Sequence, residues 1–451
     1  PQAISPHQPF LDVRAMTHQV LPELFATIRL SGETFEAEDH RNWSDASFKT
    51  YCTPLNLPFP VTVQPSDVFE QQVTLRLEGA TTATIPPLAE PMITVLGPAQ
   101  PIPGIGLQIP PGTTTDLTDD QVAALKVLRL HHLRVDVDCA NPDARQQLST
   151  AIRQCEQLDT ALWVALFATT AQDVAPLING LSATDLARID RWLIFDPDTK
   201  VTPAHLIEQV RAVLRATDGA ARLFSGSNLY YTELNREPLD AATLNMLDGV
   251  TFSVNPQVHA SDDWSVLQNT AGLGAIANDA PRLAGRLPNV ISPLTLRPRF
   301  NPNATAPEFD YSNTALPSAV DARQRTDFAA SWALLSVKEL SAAGTIDAVT
   351  IGQTIGWQGV MANPDGSPDP EHFPARPNER FPIWQALQQL SNASHLFPTT
   401  SSRPDAVQAV ILKGQSTQTL VLINLTDEPQ RVRMDAQCWD LAPHAMLTCP
   451  L

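Results

Sequence analysis

The sequence predicts an α/β protein: a (β/α)8 TIM barrel with an N-terminal β-domain and a small C-terminal β-sandwich-like domain. Three observations predict it. Eight short aliphatic runs recur through the middle of the chain, with helix-like patterns in most of the gaps. Windows of apolar–polar alternation lie before and after that series. The chain has 451 residues, 43% of them hydrophobic and 17% charged, so it can bury a large core and is not a disordered polymer.

Residues 1–94 read as the N-terminal β-domain. FATIRLSGETFEAE (25–38) and QQVTLRLEGATTATI (71–85) alternate with period two, and glycines mark the turns. The chain starts without Met, which leaves open whether residues precede Pro1 and whether this domain is truncated. Residues 95–398 carry the barrel. Its runs are GIGLQIP (104–110), HLRVDVD (132–138), ALWVALF (161–167), RWLIFDP (191–197), ARLFSGSN (221–228), GVTFSVNP (249–256), NVISPLTLRP (289–298) and AVTIGQT (348–354). Between them, Leu206, Val210, Val213 and Leu214 share one helical face, as do Phe328, Trp332 and Leu335. Thr118 ahead of Asp119 and Asp120 predicts a helix N-cap. Apolar strands alternating with amphipathic helices imply a parallel sheet covered on both faces. Eight such units over about 300 residues fit a closed barrel, for which about 250 is typical. A doubly wound open sheet would favour GxGxxG after its first strand, and GIGLQIPPG is not that. Residues 399–451 return to a β rhythm, with AVQAVILKG, STQTLVLINLT and QRVRMDAQ as hairpin strands.

Composition narrows the function. Forty-eight acidic against 30 basic side chains give a net charge of −18, which argues against nucleic acid or an anionic membrane as the partner. No apolar run approaches the about 20 residues of a membrane span. The opening PQAISPHQPF lacks a basic n-region and an apolar h-region, so a signal peptide is not expected. Five scattered cysteines without CxxC or CxxH spacing argue against a disulfide framework or zinc site. Cys438 and Cys449 could join within the tail, but free thiols in a reducing cytoplasm are the expectation. The 40 prolines fall mostly between the runs, as in stiff loops. Ten unclustered histidines predict no catalytic metal. The absence of GxSxG, HExxH, GxxxxGK[ST] and EF-hand patterns leaves no cofactor to expect.

Polar residues at the C-terminal ends of barrel strands face the active site. Strand two ends in Arg134, Asp136 and Asp138, and strand four in Asp196. Asp136 and Asp138 lie two apart on one face, and one of them is expected to bond Arg134 or a neighbouring loop. Strand five leads into Asn228, Tyr231, Glu233, Asn235 and Arg236, and strand six into Asn255, Gln257 and His259. Strand seven ends in Arg297 and Arg299, and strand eight in Gln353 and Trp357. Glu233 is the candidate general acid or base, since partial burial would raise its pKa toward the working pH. Its structural alternative is a loop carboxylate that pairs with Arg236. His259 could donate to a carbonyl oxygen or orient a hydroxyl, or be a satisfied structural histidine. Arg297 and Arg299, two apart on an extended segment, suit a carboxylate or developing oxyanion, with a surface ion pair as the alternative. Trp357 could stack on a sugar or pack the rim.

Several segments together resemble the D-apionate lactonase family: GETFEAEDHRNWSDASFKTYC (32–52), YYTELNR (230–236), NPQVHASDD (255–263), ISPLTLRPRFNP (291–302) and GWQGVM (356–361). The resemblance spans all three regions and implies an N-terminal β-domain, a glycosidase-like barrel and a C-terminal β-domain. It also implies opening of D-apionolactone to D-apionate in apiose catabolism. Within the 32–52 string, Arg41, Trp43 and Asp45 are expected to lock the β-domain onto the barrel. Related glycosidase barrels place two carboxylates at strand ends three strands apart. Glu233 follows strand five here, but Gln353 stands at strand eight, and a glutamine can form no glycosyl ester.

The expected function is therefore carbohydrate lactone hydrolysis, which needs a water, a base and oxyanion donors but no second carboxylate. The catalytic set is Glu233, His259 and Gln353. Asp138, Asn228, Tyr231, Asn235, Asn255, Arg297, Arg299 and Trp357 form the substrate-binding set. The alternatives are a glycoside hydrolase on a small apiose- or uronic-acid-containing glycoside, with Asp138 or Asp196 as its second carboxylate, and a carbohydrate-binding pseudoenzyme.

Overall fold

The computed structural model describes residues 7–45, 48–58, 61–79, 89–300 and 316–451. Parts of three predicted segments, 46–47 of GETFEAEDHRNWSDASFKTYC, 80–85 of the second N-terminal run and 301–302 of ISPLTLRPRFNP, lie outside the described residues. The chain divides into two compact units, residues 1–42 with 47–89, and residues 43–46 with 90–451.

The first unit is all β among its described residues. An antiparallel sheet runs in the order Ala15–Leu21, Leu24–Ser31, Gln72–Gly79, and a second in the order Phe10–Val13, Phe35–Glu38, Lys49–Tyr51. The second sheet is cross-linked through Glu36. Its carboxylate accepts from Tyr51 Oη (2.9 Å), Gln8 Nε2 (2.8 Å) and the Leu55 amide (3.1 Å).

The second unit is built on a closed, all-parallel barrel: β1 (Gly104–Gln108), β2 (His132–Asp138), β3 (Ala161–Phe167), β4 (Ile189–Phe195), β5 (Leu223–Tyr230), β6 (Gly249–Val254), β7 (Asn289–Leu294) and β8 (Ile346–Gln353). Each strand pairs with its sequence neighbours, and β8 closes on β1. All eight predicted runs are these strands. The predicted cap is present as a capping box: Thr118 and Gln121 bond reciprocally at the start of the helix Asp119–Lys126.

The barrel interior decides where the site sits. In β2 the period of two sends Leu133, Val135 and Val137 outward into the helix layer. His132, Arg134 and Asp136 take the opposite, inward face and climb it from the bottom of the barrel to its top. Across the interior, Trp163, Ala165, Leu193, Phe195 and Phe224 form a separate apolar cluster. Both hydrocarbon and hydrogen-bonded polar groups thus fill the barrel interior.

The helix Asp327–Ala343 is buried almost all round, Ser336, Lys338 and Ser341 included, because it packs on the barrel and also on C-terminal strands. Those strands form a five-stranded sheet in the order Met446–Pro450, Gln418–Asn424, Val407–Lys413, His395–Phe397, Gln100–Pro101. The segment Ile93–Val95 pairs with Thr399–Ser401, so chain on both sides of the barrel shares in the C-terminal β-structure. No described helix is long and apolar enough to cross a membrane. All five cysteines are free.

Candidate active site

A cavity of about 600 Å³ opens at the C-terminal end of the barrel, where the strand ends and βα loops converge. Its charged lining is Asp136, Asp196, Asp198, Lys200 and Arg299. Gln108, Asn228, Gln353 and Gln358 contribute amides, and Phe167, Phe195 and Phe300 contribute aromatic faces.

Two arginines organise one wall. Arg134 is fully buried, and its Nε donates to Asp136 Oδ1 at 2.7 Å. Its remaining nitrogens donate to Ser292 Oγ (3.1 Å), to the Ser292 carbonyl, and to Asn228 Oδ1 (3.0 Å). Arg299 comes from the loop after β7 and reaches the other oxygen of the same carboxylate, Asp136 Oδ2, at 3.4 Å. It also donates to Asn228 Oδ1 and the Asn228 carbonyl, both at 2.8 Å, and to Ser253 Oγ at 3.1 Å. Burial and then the repulsion of Arg134 lower the Arg299 pKa to about 10, which leaves it charged at neutral pH.

Below this wall a hydrogen-bonded ladder continues down the barrel. Ser292 Oγ meets Thr350 Oγ1 at 2.7 Å, and Thr350 meets His132 Nε2 at 2.8 Å. His132 lies flat on Trp163, with ring centroids 3.5 Å apart. Burial, with His131, Arg191 and Arg134 nearby, holds its pKa well below the ordinary histidine value, so the ring is neutral.

Glu233 sits on the short helix Tyr231–Arg236 directly after β5 and is 3% exposed. It does not line the cavity. Its Oε1 lies 3.4 Å from Arg236 and 3.7 Å from Nζ of Lys200, which does line it. The carboxylate therefore stands behind a cavity lysine.

The structure separates the other predicted residues. Asn228, Arg299 and Gln353 line the cavity, and Gln353 Nε2 donates to Gln358 Oε1 at 3.2 Å. Asn255 borders a small neighbouring cleft that shares Asn228 and Arg299. Arg297 turns away from its neighbour two residues on, toward Asp321 (3.5 Å) and the Ser318 carbonyl (3.3 Å). The backbone bends at 296–297 and again at 299–300, so the extended segment expected from the sequence does not hold. Tyr231 donates to Asp279 at 2.6 Å and Asn235 accepts from Arg282, so both face the helix Thr270–Ala284. Asp138 is exposed and caps the Ala140 amide at 2.9 Å. Trp357 donates to Ser367 Oγ at 3.1 Å in a rim loop. The His259 amide donates to Asp45 Oδ2 at 2.9 Å and its Nδ1 lies 2.8 Å from the same oxygen, with Trp43 edge-on at 6.0 Å. Arg236 lies over the same Trp43 ring at 5.0 Å.

Several cavity residues were absent from the predicted set. Lys200, Asp198 and Thr199 lie on the loop after β4, past Asp196 at the predicted end of strand four. Gln108 ends β1 and carried the same strand-end signal. Asp196 and Asp136 were recognised as strand-end carboxylates, and both face the cavity. Among the described residues no group of three or more His, Cys, Asp or Glu side chains could hold a metal ion.

Comparisons with known proteins agree with this architecture. A computed superposition relates the chain to a family 51 α-L-arabinofuranosidase of Bifidobacterium longum, with TM-score 0.51 and 12% identity over 81% of this chain and 95% of that one. A conserved exported protein of Bacteroides fragilis aligns with TM-score 0.50 and 9% identity over 80% of this chain and 98% of that one. At such identities the likeness is one of fold alone. A D-apionate lactonase of Brucella anthropi is 30% identical over 453 aligned positions, covering 96% of this chain and 71% of that protein. Family models for the D-apionate lactonase N-terminal domain, TIM barrel domain and C-terminal immunoglobulin-like domain match residues 1–80, 105–395 and 404–447. The chain belongs to the D-apionate lactonase family.

Proposed function

We propose that this protein hydrolyses a sugar lactone, D-apionolactone, to the open-chain acid D-apionate, and does so in the cytoplasm, where its five free thiols would persist. Family membership supports the reaction class. The observation that carries the mechanism is the presentation of Arg299 to the cavity beside a second, buried guanidinium.

A lactone carbonyl is electrophilic, and its hydrolysis is limited by forming a negatively charged tetrahedral intermediate. Arg299 supplies preorganised N–H donors and charge for that oxygen. Asp196 takes a proton from the attacking water. The ring C–O bond then breaks, and the same proton passes to the leaving ring oxygen. Asp196 suits the role better than its neighbours: Asp136 is held between two arginines, and Glu233 lies off the cavity against Lys200 and Arg236. Glu233 acts here through Lys200, as a positioning residue. Gln108, Asn228, Gln353 and Gln358 are the groups for the sugar hydroxyls.

Proton release from purified protein and D-apionolactone in weak buffer, against the spontaneous rate, tests the reading. Fast release that Gln353→Glu does not increase supports a lactonase for which position 353 needs no carboxylate. Release only after Gln353→Glu would replace it with a two-carboxylate mechanism. No release from either protein would refute lactone hydrolysis.

A further inference from the structure

The Arg134–Asp136–Arg299 cluster carries more positive than negative charge. Asp136 is the one carboxylate ion-paired to either guanidinium among the described residues. Every other acceptor they use is neutral: the Ser292 carbonyl and hydroxyl, the Asn228 carbonyl and amide oxygen, and the Ser253 hydroxyl. Among the described residues one positive charge is left over. It is not diluted by water, because Arg134 is fully buried and the Arg299 side chain is 15% exposed. Burying an unmatched charge is costly, and a fold that keeps one beside a cavity is arranged for an anion to complete it.

The other described residues of the cavity do not supply that anion. Lys200 already has Glu233 behind it at 3.7 Å. Asp196 and Asp198 belong to the β4 loop, where the Asp198 amide donates to Asp196 Oδ1 at 2.9 Å, and neither reaches an arginine. The Nε–H of Arg299 donates to no described residue, so one donor of the fork remains for a ligand oxygen.

We infer that this cluster is a carboxylate-binding subsite that holds the α-hydroxy acid end of an open-chain sugar acid more tightly than the uncharged lactone. The identity of the acid rests on the lactonase reading, whereas the preference for a carboxylate rests on the cluster alone. Its consequence is product inhibition. Hydrolysis converts a neutral ring into an anion at the spot where the excess charge lies, so the arginines that favour the oxyanion also retain the product.

Titration calorimetry on the full chain tests this, with sodium D-apionate and its uncharged polyol counterpart apiitol as probes. The acid should bind at least about tenfold more tightly than the polyol, as one charge-assisted hydrogen bond implies. Arg299→Gln should abolish the preference, and Arg299→Lys should keep part of it. Asp136→Asn should strengthen acid binding several-fold, because it removes the competing negative charge. A purely structural role for Asp136 predicts weaker binding instead, so that variant decides even if Arg299→Gln folds poorly. Equal binding of the two probes, no binding of either, or an undiminished preference in Arg299→Gln would overturn the subsite. Lactone turnover on the same preparation separates the two ideas. Turnover without acid preference removes the subsite and leaves the reaction, and acid preference without turnover does the reverse.

Discussion

Arg134 and Arg299 converge on a single amide oxygen, Asn228 Oδ1, at 3.0 and 2.8 Å. Two like charges held against one neutral acceptor are a deliberate imbalance, since an aspartate of nearly the same shape would satisfy both. Asn228→Asp is therefore predicted to stabilise the fold by about 1 kcal/mol, the difference between neutral and charged acceptors. It should at the same time lower lactone turnover by about 100-fold, since the field that favours the oxyanion is neutralised. Thermal unfolding and proton release on one preparation measure both. A variant that is more stable and fully active would mean that the charge plays no part in the reaction.

The two candidate carboxylates are separable by size of effect. Asp196→Asn should reduce kcat at least about 100-fold, the range of general-base catalysis. Glu233→Gln should cost about tenfold, because it loosens Lys200 without removing a proton acceptor from the cavity. The reverse order would return the base to Glu233, as the sequence suggested.

His132 sets an acid limit on stability. Its folded pKa lies well below the unfolded 6.5, so below pH 6.5 the unfolded chain binds a proton that the folded chain refuses. Stability from this group is present above pH 6.5 and is lost as pH falls, by up to about 1.4 kcal/mol per pH unit. His131 and His40 shift the same way and add to the slope. In denaturant titrations at pH 7, 6 and 5, His132→Gln should be less stable at pH 7 but show a flatter decline than the parent. Parallel declines would show that His132 does not carry it.

The Asp45–His259 pair predicts a stability effect rather than a chemical one. Asp45 is buried, bonds both the amide and Nδ1 of His259, and neither residue lines the cavity. Asp45→Ala should cost about 1–3 kcal/mol of stability, the penalty of leaving such donors unpaired, with turnover changed less than about threefold. Collapse of turnover with unchanged unfolding would place His259 in the reaction.

Much of this was legible in one dimension. The eight barrel strands, the Thr118 cap and the family resemblance follow from periodicity, cap chemistry and segment order, which are local properties of the chain. Arg299, Asn228 and Gln353 were legible as cavity residues because each lies near, at or shortly after the C-terminal end of a strand, and those ends face the mouth of a parallel barrel. Glu233 and His259 satisfy the same rule but do not line the cavity. Glu233 sits on a buried helical turn whose charge is spent on Lys200 and Arg236, and His259 on a loop fixed to Asp45.

What the sequence determined by itself is the order and type of elements, because apolar spacing and turn chemistry act over a few residues. What only the tertiary structure decided is which charges meet. Arg134 and Asp136 come from β2, Asn228 from β5 and Arg299 from the loop after β7. Their shared carboxylate and their excess charge exist only because barrel closure brings those strand ends within hydrogen-bonding distance, where water no longer screens them.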